Sequence, residues 1–79
     1  MPTKEEVNEE NRRIRRLRML TDLTISIIIQ GNLPFEQATG MVAGVREIAL
    51  KMFPGKEEEF DLVLAPRFRR VMSEKYRLN

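Results

Sequence analysis

Residues 12–35, RRIRRLRMLTDLTISIIIQGNLPF, are the stretch that decides the fold. Five of the seven residues from 12 to 18 are arginines, whereas residues 23–35 carry no charged side chain. Because no glycine or proline separates these stretches, they predict one helix that leaves solvent and enters a hydrophobic core near Met19. Gly31 is typical of the position just after a helix end.

The same helix extends towards the N-terminus. Thr3 and Glu6 form an N-cap signature, a threonine followed three residues later by an acid. No glycine or proline follows before the apolar stretch ends, so the sequence predicts a first helix over residues 4–30, about 40 Å long at about 1.5 Å per residue. Only Val7 is apolar on the early turns, and residues 1–11 should therefore be solvated and free to fray.

The apolar side of the first helix follows the helical period of about 100° per residue. Leu23, Ile27 and Ile29 extend this side nearly all round the last three turns. We therefore expect those turns to be the most deeply buried part of the protein. The residues on the main apolar face are Ile14, Leu17, Leu20, Thr21, Thr24, Ile25 and Ile28.

Residues 24–29, TISIII, contain enough β-branched side chains to form a strand. No second segment of comparable β-propensity is present to pair with them, and a lone strand is not stable. We therefore assign the segment to the first helix.

A second helix follows a tight connection at residues 31–33. Pro34 suits the first helical position, where its missing N–H removes no hydrogen bond, and Pro54 with Gly55 ends the segment. So short a connection predicts an antiparallel helical hairpin. The apolar residues that recur every three or four positions are Ala38, Met41, Val42, Val45, Ile48, Ala49, Met52 and Phe53.

A third helical segment begins near Lys56 or Glu57. Its apolar register continues across Pro66, although a proline removes a backbone hydrogen bond and clashes with the preceding turn. Two outcomes are open: one helix kinked at Pro66, or two short helices with Pro66 opening the second. We favour a break or strong kink that leaves residues 67–78 as a basic C-terminal helix. The apolar residues of the segment are Phe60, Val63, Leu64, Phe68, Val71 and Met72.

Together these segments predict an all-α fold: a small helical bundle made of an antiparallel helical hairpin and a third helical segment interrupted at Pro66. Residues 1–79 make a single helical domain. That is near the size at which one apolar core gives only modest stability.

The composition excludes several classes of site. The chain has no cysteine and no histidine, so it lacks disulfides, thiolate metal ligands and the commonest general base. No apolar run approaches ~20 residues, so no membrane span is expected. The N-terminal sequence MPTKEE is polar and acidic, unlike a secretory signal, and a cytoplasmic location is expected. We expect neither a cofactor nor a bound metal.

Charges are sorted along the chain, although the net charge is only +2. Residues 1–11 sum to −3 and residues 12–22 to +4, while residues 56–61 sum to −3 and residues 62–79 to +4. Carboxylates are favourable at the start of a helix and cations at its end, which explains the second pair of segments. It does not explain the arginines of residues 12–18, which lie in the middle of their helix.

The arginine cluster, which comprises Arg12, Arg13, Arg15, Arg16 and Arg18, is the strongest functional candidate. One interpretation is a surface for nucleic-acid phosphates or an acidic protein. The favoured interpretation is a solvated stretch whose arginines pair with Glu9 and Glu10 and cover apolar neighbours with their stems. The arginines fan across about 220° of the helix and include no aromatic residue, which suits phosphate contact better than base reading. The expected nucleic-acid contacts are Arg12, Arg15, Arg16 and Arg18.

A second basic group lies near the C-terminus and would extend this surface if the third helix folded back beside the first. The alternative is a set of cations that simply completes a helix end. The sequence does not decide whether the two groups share a face. The members of the second basic group are Arg67, Arg69, Arg70, Lys75 and Arg77.

Gly40 and Gly44, with Ala43 between them, resemble the small-xxx-small pattern that lets two helices approach closely. A glycine inside a helix costs up to ~1 kcal/mol relative to alanine, so we expect a compensating contact. The favoured contact is the first helix of the same chain, and the alternative is the second helix of another copy.

Methionine occurs on or near each apolar face. Methionine fills gaps in cores and also forms adaptable binding surfaces, and we favour the core for all four. These residues are Met19, Met41, Met52 and Met72.

Residues suited to catalysis are few. Ser26 and Ser73 have no histidine to activate them, and Asp22 lies one turn from Arg18, with which we expect an ion pair. The consecutive acids of residues 57–59 point to three different sides of a helix and cannot converge on a metal. No phosphate-binding glycine loop is present. We therefore expect that the protein is not an enzyme.

A DNA-binding helix-turn-helix at residues 25–45 is also disfavoured. The second helix would have to read the groove, but it carries only Arg46 and Lys51 as cations and is otherwise largely apolar. The sequence thus predicts a small non-catalytic helical module that binds another protein, and one candidate partner is a second copy in a homodimer. The alternative is a sequence-nonspecific nucleic-acid-binding protein that uses the arginine cluster.

Overall fold

The computed structural model describes residues 1–77, which form three α-helices and no strand. Helix α1 spans Lys4–Gln30, α2 spans Phe35–Met52 and α3 spans Glu57–Tyr76. Each helix contacts both of the others. The predicted all-α class and small helical bundle are confirmed.

The bounds of α1 are those predicted. At its start the Thr3 hydroxyl accepts a hydrogen bond from the Glu6 backbone N–H at 3.1 Å. At its end the Gly31 N–H donates to the Ile27 carbonyl oxygen at 2.8 Å. A Cβ atom at Gly31 would lie 2.7 Å from that same oxygen. Glycine is therefore required here by close approach, since its φ of −88° is open to any residue.

The connections on either side of α2 are short. Pro34 is the residue before the helix, with φ −59° and ψ 151°, rather than the first helical residue as predicted. Phe53 closes the helix by donating its N–H to the Ala49 carbonyl at 2.9 Å. The chain then turns at Gly55, whose φ of +79° lies in the left-handed region that favours glycine.

The third segment is one α-helix with Pro66 inside it, so of the two open outcomes the division into two short helices is excluded. Proline lacks the N–H that would bond the carbonyl of Leu62. Both residues are exposed, so water can bond this carbonyl and the helix continues. Arg77, in the left-handed conformation at φ 53°, ends the helix. Residue 78, the last of the predicted basic helix, lies outside the described residues.

The core consists of two neighbouring groups of buried side chains. Val45 and Ala49 of α2 pack with Phe60 and Phe68 of α3 in the first group. The second joins one residue from each helix: Ile28, Ala38 and Met72. Half-buried side chains that pack against these groups are Leu17, Leu20, Ile25, Val42, Leu64, Ala65, Val71 and Tyr76.

Several residues expected in the core are exposed instead. The last three turns of α1 bury Thr24 and Ile28, but Leu23, Ile27 and Ile29 are 56%, 41% and 52% exposed. A helix in a three-helix bundle has neighbours on only part of its circumference, so apolar residues beyond that part stay in solvent. The other exposed residues among those predicted to be core are Ile14, Met19, Ile48 and Val63.

Cross-helix polar contacts fix the directions of the helices. Arg67 of α3 pairs with Asp22 of α1 at 3.1 Å, and further along α3 the Lys75 ammonium donates to the Ile29 carbonyl at 2.9 Å. Helix α3 therefore runs parallel to α1, while α1 and α2 form the predicted antiparallel hairpin. The Tyr76 hydroxyl donates to the Leu33 carbonyl at 2.8 Å, which ties the end of α3 to the α1–α2 connection.

The N-terminal part of α1 extends beyond the bundle. Helix α1 has 27 residues, against 18 in α2 and 20 in α3, and the molecule measures 46 × 22 × 16 Å. Residues 1–16 are all exposed. The predicted solvated N-terminal stretch is thus longer than residues 1–11 and includes most of the arginine cluster.

One buried polar atom lacks a partner. Thr21 is completely buried, and its hydroxyl oxygen has no hydrogen bond within residues 1–77. An unsatisfied buried hydroxyl costs about 1–3 kcal/mol. The free energy gained by burying apolar side chains must therefore offset the cost of this buried hydroxyl.

Two aspartate substitutions test where the core lies. Ile28→Asp should unfold the domain, because Ile28 is completely buried and an unpaired carboxylate there is very costly. Val7→Asp should change the free energy of unfolding by less than about 0.5 kcal/mol, since Val7 is 41% exposed on the projecting end of α1. Thermal unfolding followed by circular dichroism measures both, and equal losses of stability would contradict this placement of the core.

Candidate functional site

The arginine cluster lies on the exposed part of α1. Arg13 pairs with Glu9 at 2.9 Å, as expected, but the expected pairing with Glu10 is not formed. Within residues 1–77 the other four arginines form neither an ion pair nor a side-chain hydrogen bond. These four side chains are therefore solvated and not paired: Arg12, Arg15, Arg16 and Arg18.

The second basic group does not extend the arginine cluster. Because α3 runs parallel to α1, the basic end of α3 lies beside residues 22–33, whereas residues 14–18 lie near its acidic start, with Glu59 and Lys56 in the same groove. The two groups therefore lie at different levels along the bundle.

Several members of the second basic group are engaged within the chain. Arg67 pairs with Asp22, so the expected Asp22–Arg18 pair is wrong. Arg70 pairs with Glu74 at 3.3 Å, and Lys75 bonds the Ile29 carbonyl. These contacts attach the C-terminal half of α3 to α1 or lie within α3 itself. They give three cations of this group a role inside the fold.

Gly40 and Gly44 do not mediate close packing within the chain. A Cβ atom built at either position would meet no atom within 4 Å. The favoured expectation, a close approach to α1 of the same chain, is therefore wrong. Each glycine therefore destabilises α2 relative to alanine, and no contact within the chain requires a glycine at either position.

The glycines lie on the side of α2 that faces away from α3. Arg46 marks the side towards α3, because it pairs with Asp61 at 3.4 Å and lies over the Phe60 ring at 6.0 Å. At about 100° per residue, Gly44 and Ile48 both lie about 160° from Arg46 around the helix. This outer side of α2 is therefore free of α3.

The exposed apolar residues of α1 lie on the corresponding side of that helix. Asp22 marks the side towards α3, because it pairs with Arg67. Leu23 and Ile27 lie about 100° and 140° further round α1. We call the outer sides of α1 and α2, which are adjacent in the hairpin, the α1–α2 face. Its members are Met19, Leu20, Leu23, Ile27, Gly40, Met41, Gly44 and Ile48.

The α1–α2 face is apolar and largely exposed. Met19 is 71% exposed, Leu23 56%, Ile48 43% and Ile27 41%. Two charged residues lie on the glycine side of α2, because Glu47 follows Gly40 and Lys51 follows Gly44 by seven residues, about 20° round the helix. Met19 therefore lies outside the core, contrary to expectation, whereas Met72 is buried and Met41 and Met52 are half-buried. The sequence contains one indication of this face. Apolar residues extend nearly all round the last turns of α1, and two neighbouring helices cannot cover all of them.

A second apolar surface lies where α1 meets the start of α3. It is an open groove of about 490 Å³. Its apolar lining includes Ile14 and Leu17 of α1, Phe53 after α2, and Phe60 and Val63 of α3. Both acids and bases lie on its rim, so its charge does not select one class of ligand.

The described residues offer little catalytic chemistry. Among residues 1–77 no group of three acidic side chains is placed to hold a metal ion. Ser26 is exposed on α1 and Ser73 is half-buried on α3, and the chain has no histidine to activate either one. None of the helices described is both long and apolar enough to cross a membrane.

Comparison with protein-family models, with curated proteins and with solved structures gives no significant match. The functional argument therefore rests on the chain's own surfaces. Of these, the α1–α2 face has exposed apolar side chains from two helices, and the arginine cluster has four arginines without an ion pair in the described part of the chain.

Alanine substitutions test whether the helix-2 glycines serve the isolated chain. Gly40→Ala and Gly44→Ala should each raise the free energy of unfolding by about 0.5–1 kcal/mol, because the added methyl meets no atom and alanine favours the helix. The matched control Gly31→Ala should lower it by about 1 kcal/mol or more, because its methyl would clash with the Ile27 carbonyl. Chemical denaturation at low protein concentration measures all three. Destabilisation by the helix-2 variants would show an intrachain need for these glycines.

Proposed function

We propose that the protein is a non-catalytic protein-interaction module and that the α1–α2 face is its binding surface. The observation that carries the proposal is the exposure of four large apolar side chains, Met19, Leu23, Ile27 and Ile48, on the outer sides of two adjacent helices. Contiguous exposed apolar patches in small globular proteins commonly mark binding sites, whereas scattered apolar residues do not.

The charges around the α1–α2 face support a protein partner. Arg16, Glu47 and Lys51 lie at the end of the face nearest the arginine cluster, while Glu36 lies in the first turn of α2 at the other end. An apolar centre with a polar rim is the usual composition of a protein interface. The methionines Met19 and Met41 add side chains that adapt to a partner's shape. The proposal includes no catalytic step, and a cytoplasmic location remains a prediction from the sequence.

Site-specific photo-crosslinking tests this function in the cells that make the protein. A benzophenone amino acid at Leu23 should give a discrete protein adduct, because Leu23 lies in the centre of the α1–α2 face. The matched control places the same group at Leu62, which is 76% exposed on α3, away from the face. An adduct at Leu23 and none at Leu62 is the expected result. No adduct at Leu23, or equal adducts at both positions, would overturn the proposal.

A second candidate function is sequence-nonspecific nucleic-acid binding through the arginine cluster. It is supported by the four arginines that project into solvent without an ion pair, Arg12, Arg15, Arg16 and Arg18. Unpaired arginines are free to contact phosphates, and their fanned placement gives little means of reading bases. Because the second basic group lies elsewhere, the cluster alone would form the contact surface.

A salt titration against duplex DNA and single-stranded RNA tests this candidate. If it is right, affinity falls with salt concentration, and each arginine removed from the cluster lowers the slope on duplex DNA by about one unit. Charge reversal at the four unpaired arginines should abolish binding and leave the circular dichroism spectrum unchanged. The control variant R69E/R70E should bind like the wild type. No affinity at low salt is the result we expect under the interaction-module proposal, and it would eliminate this alternative.

A further inference from the structure

We infer that the partner on the α1–α2 face is an acidic amphipathic segment of another protein, which lies along the outer side of α1. Its apolar side chains cover Met19 and Leu23. Its carboxylates contact Arg12, Arg15 and Arg16 of the arginine cluster. This inference rests on the proposed function, since it uses the same face, and it adds the chemistry of the partner.

Three arginines lie in line with the exposed apolar residues of α1. At about 100° per residue, Arg12, Arg15 and Arg16 lie about 20°, 40° and 60° from Met19 round the helix. Arg16 also precedes Leu23 by seven residues, which places it about 20° round the helix and about 10 Å along the axis. All five side chains are exposed. A segment that covers the apolar pair and continues towards the start of α1 therefore meets the arginines next.

The acids near these arginines do not neutralise them. Glu9 is already paired with Arg13 at 2.9 Å, and Glu5 lies about two turns nearer the N-terminus than Arg12. The two charged residues of α2 at this end of the face sum to zero. Within residues 1–77 none of the three arginines forms an ion pair. A surplus of positive charge thus borders the apolar residues, and it attracts carboxylates and repels cations.

The outer side of α1 does not suit a membrane surface. A helix that lies in the membrane interface needs a continuous apolar face. Ser26, Gln30 and the charged Asp22 lie within about 60° of Met19 round the helix, so they interrupt the apolar side. A protein segment can place its own polar side chains opposite these positions.

Nucleic acid matches only one part of this surface. Phosphates would contact the arginines, but they would leave Met19 and Leu23 uncovered. Helix α1 contains no aromatic residue on which bases could stack. An amphipathic segment that carries both leucine-like and acidic side chains covers the apolar pair and neutralises the arginines in one contact.

Fluorescence anisotropy with designed peptides tests this chemistry on the full chain. The probe is a labelled synthetic helix with leucines at helical spacing in one half and glutamates in the other. It should bind saturably at low salt, whereas the same peptide with lysine for each glutamate should bind at least about tenfold more weakly. A peptide with serine for each leucine should also bind weakly, because it cannot cover Met19 and Leu23. No binding of the glutamate peptide, or equal binding of the lysine peptide, would overturn the inference.

A charge exchange separates direct contact from loss of folding. The variant R12E/R15E/R16E should lose affinity for the glutamate peptide and gain affinity for the lysine peptide, which an unfolded variant would not do. The control R69E/R70E, on exposed α3 positions away from the face, should keep the wild-type preference. A triple variant that still prefers the glutamate peptide would contradict contact at these arginines.

Photo-crosslinking separates this inference from the function on which it rests. The adduct formed at Leu23 in cells should fall at least about tenfold when R12E/R15E/R16E is added. An adduct that persists at the wild-type level, or one with twice the mass of the chain, would overturn the acidic-partner inference and leave the interaction module standing. Tighter binding of phosphatidylglycerol vesicles or duplex DNA than of the glutamate peptide would assign the arginines to another ligand and likewise overturn the inference.

Discussion

Helix α1 carries apolar side chains around most of its circumference over its last turns, but a bundle of three helices gives it only two neighbours. This mismatch is the constraint on which the rest of the structure depends. The side that meets both neighbours is buried at Thr21, Thr24 and Ile28. The remaining apolar side, with Leu23 and Ile27, stays in solvent because no further helix of the chain reaches it. The small core and the exposed face thus have the same cause.

The direction of α3 decides how charge is distributed. Because α3 returns parallel to α1, its acidic first turn lies towards the arginine cluster, and its basic end lies beside the α1–α2 connection. Arg67 and Lys75 then act as links to Asp22 and to the Ile29 carbonyl rather than as a free basic surface. The cations without partners are concentrated on the projecting part of α1.

The sequence predicted the elements well because local rules govern them. The Thr3 cap and Gly31 set the ends of α1, and Pro54 with Gly55 separated the last two helices. The sequence left open whether Pro66 divides the third segment, because the cost of a proline depends on whether the freed carbonyl can reach water, which a sequence does not reveal. Exposure at Leu23 and Ile48 was also missed, since helical periodicity marks an apolar side without showing whether another helix covers it. The role of Gly40 was misassigned for the same reason.

The central claim is that the α1–α2 face of the folded chain is covered by a partner, and methionine methyl resonances report on it directly. Met19 and Met41 lie on the face, Met72 is in the core, and Met1 is fully exposed far from it. The account predicts that the Met19 and Met41 methyl signals shift and broaden when the protein that crosslinks at Leu23 is added, while those of Met1 and Met72 stay fixed. Signals of Met19 and Met41 that remain sharp and unchanged at a saturating concentration of that protein would contradict binding through this face.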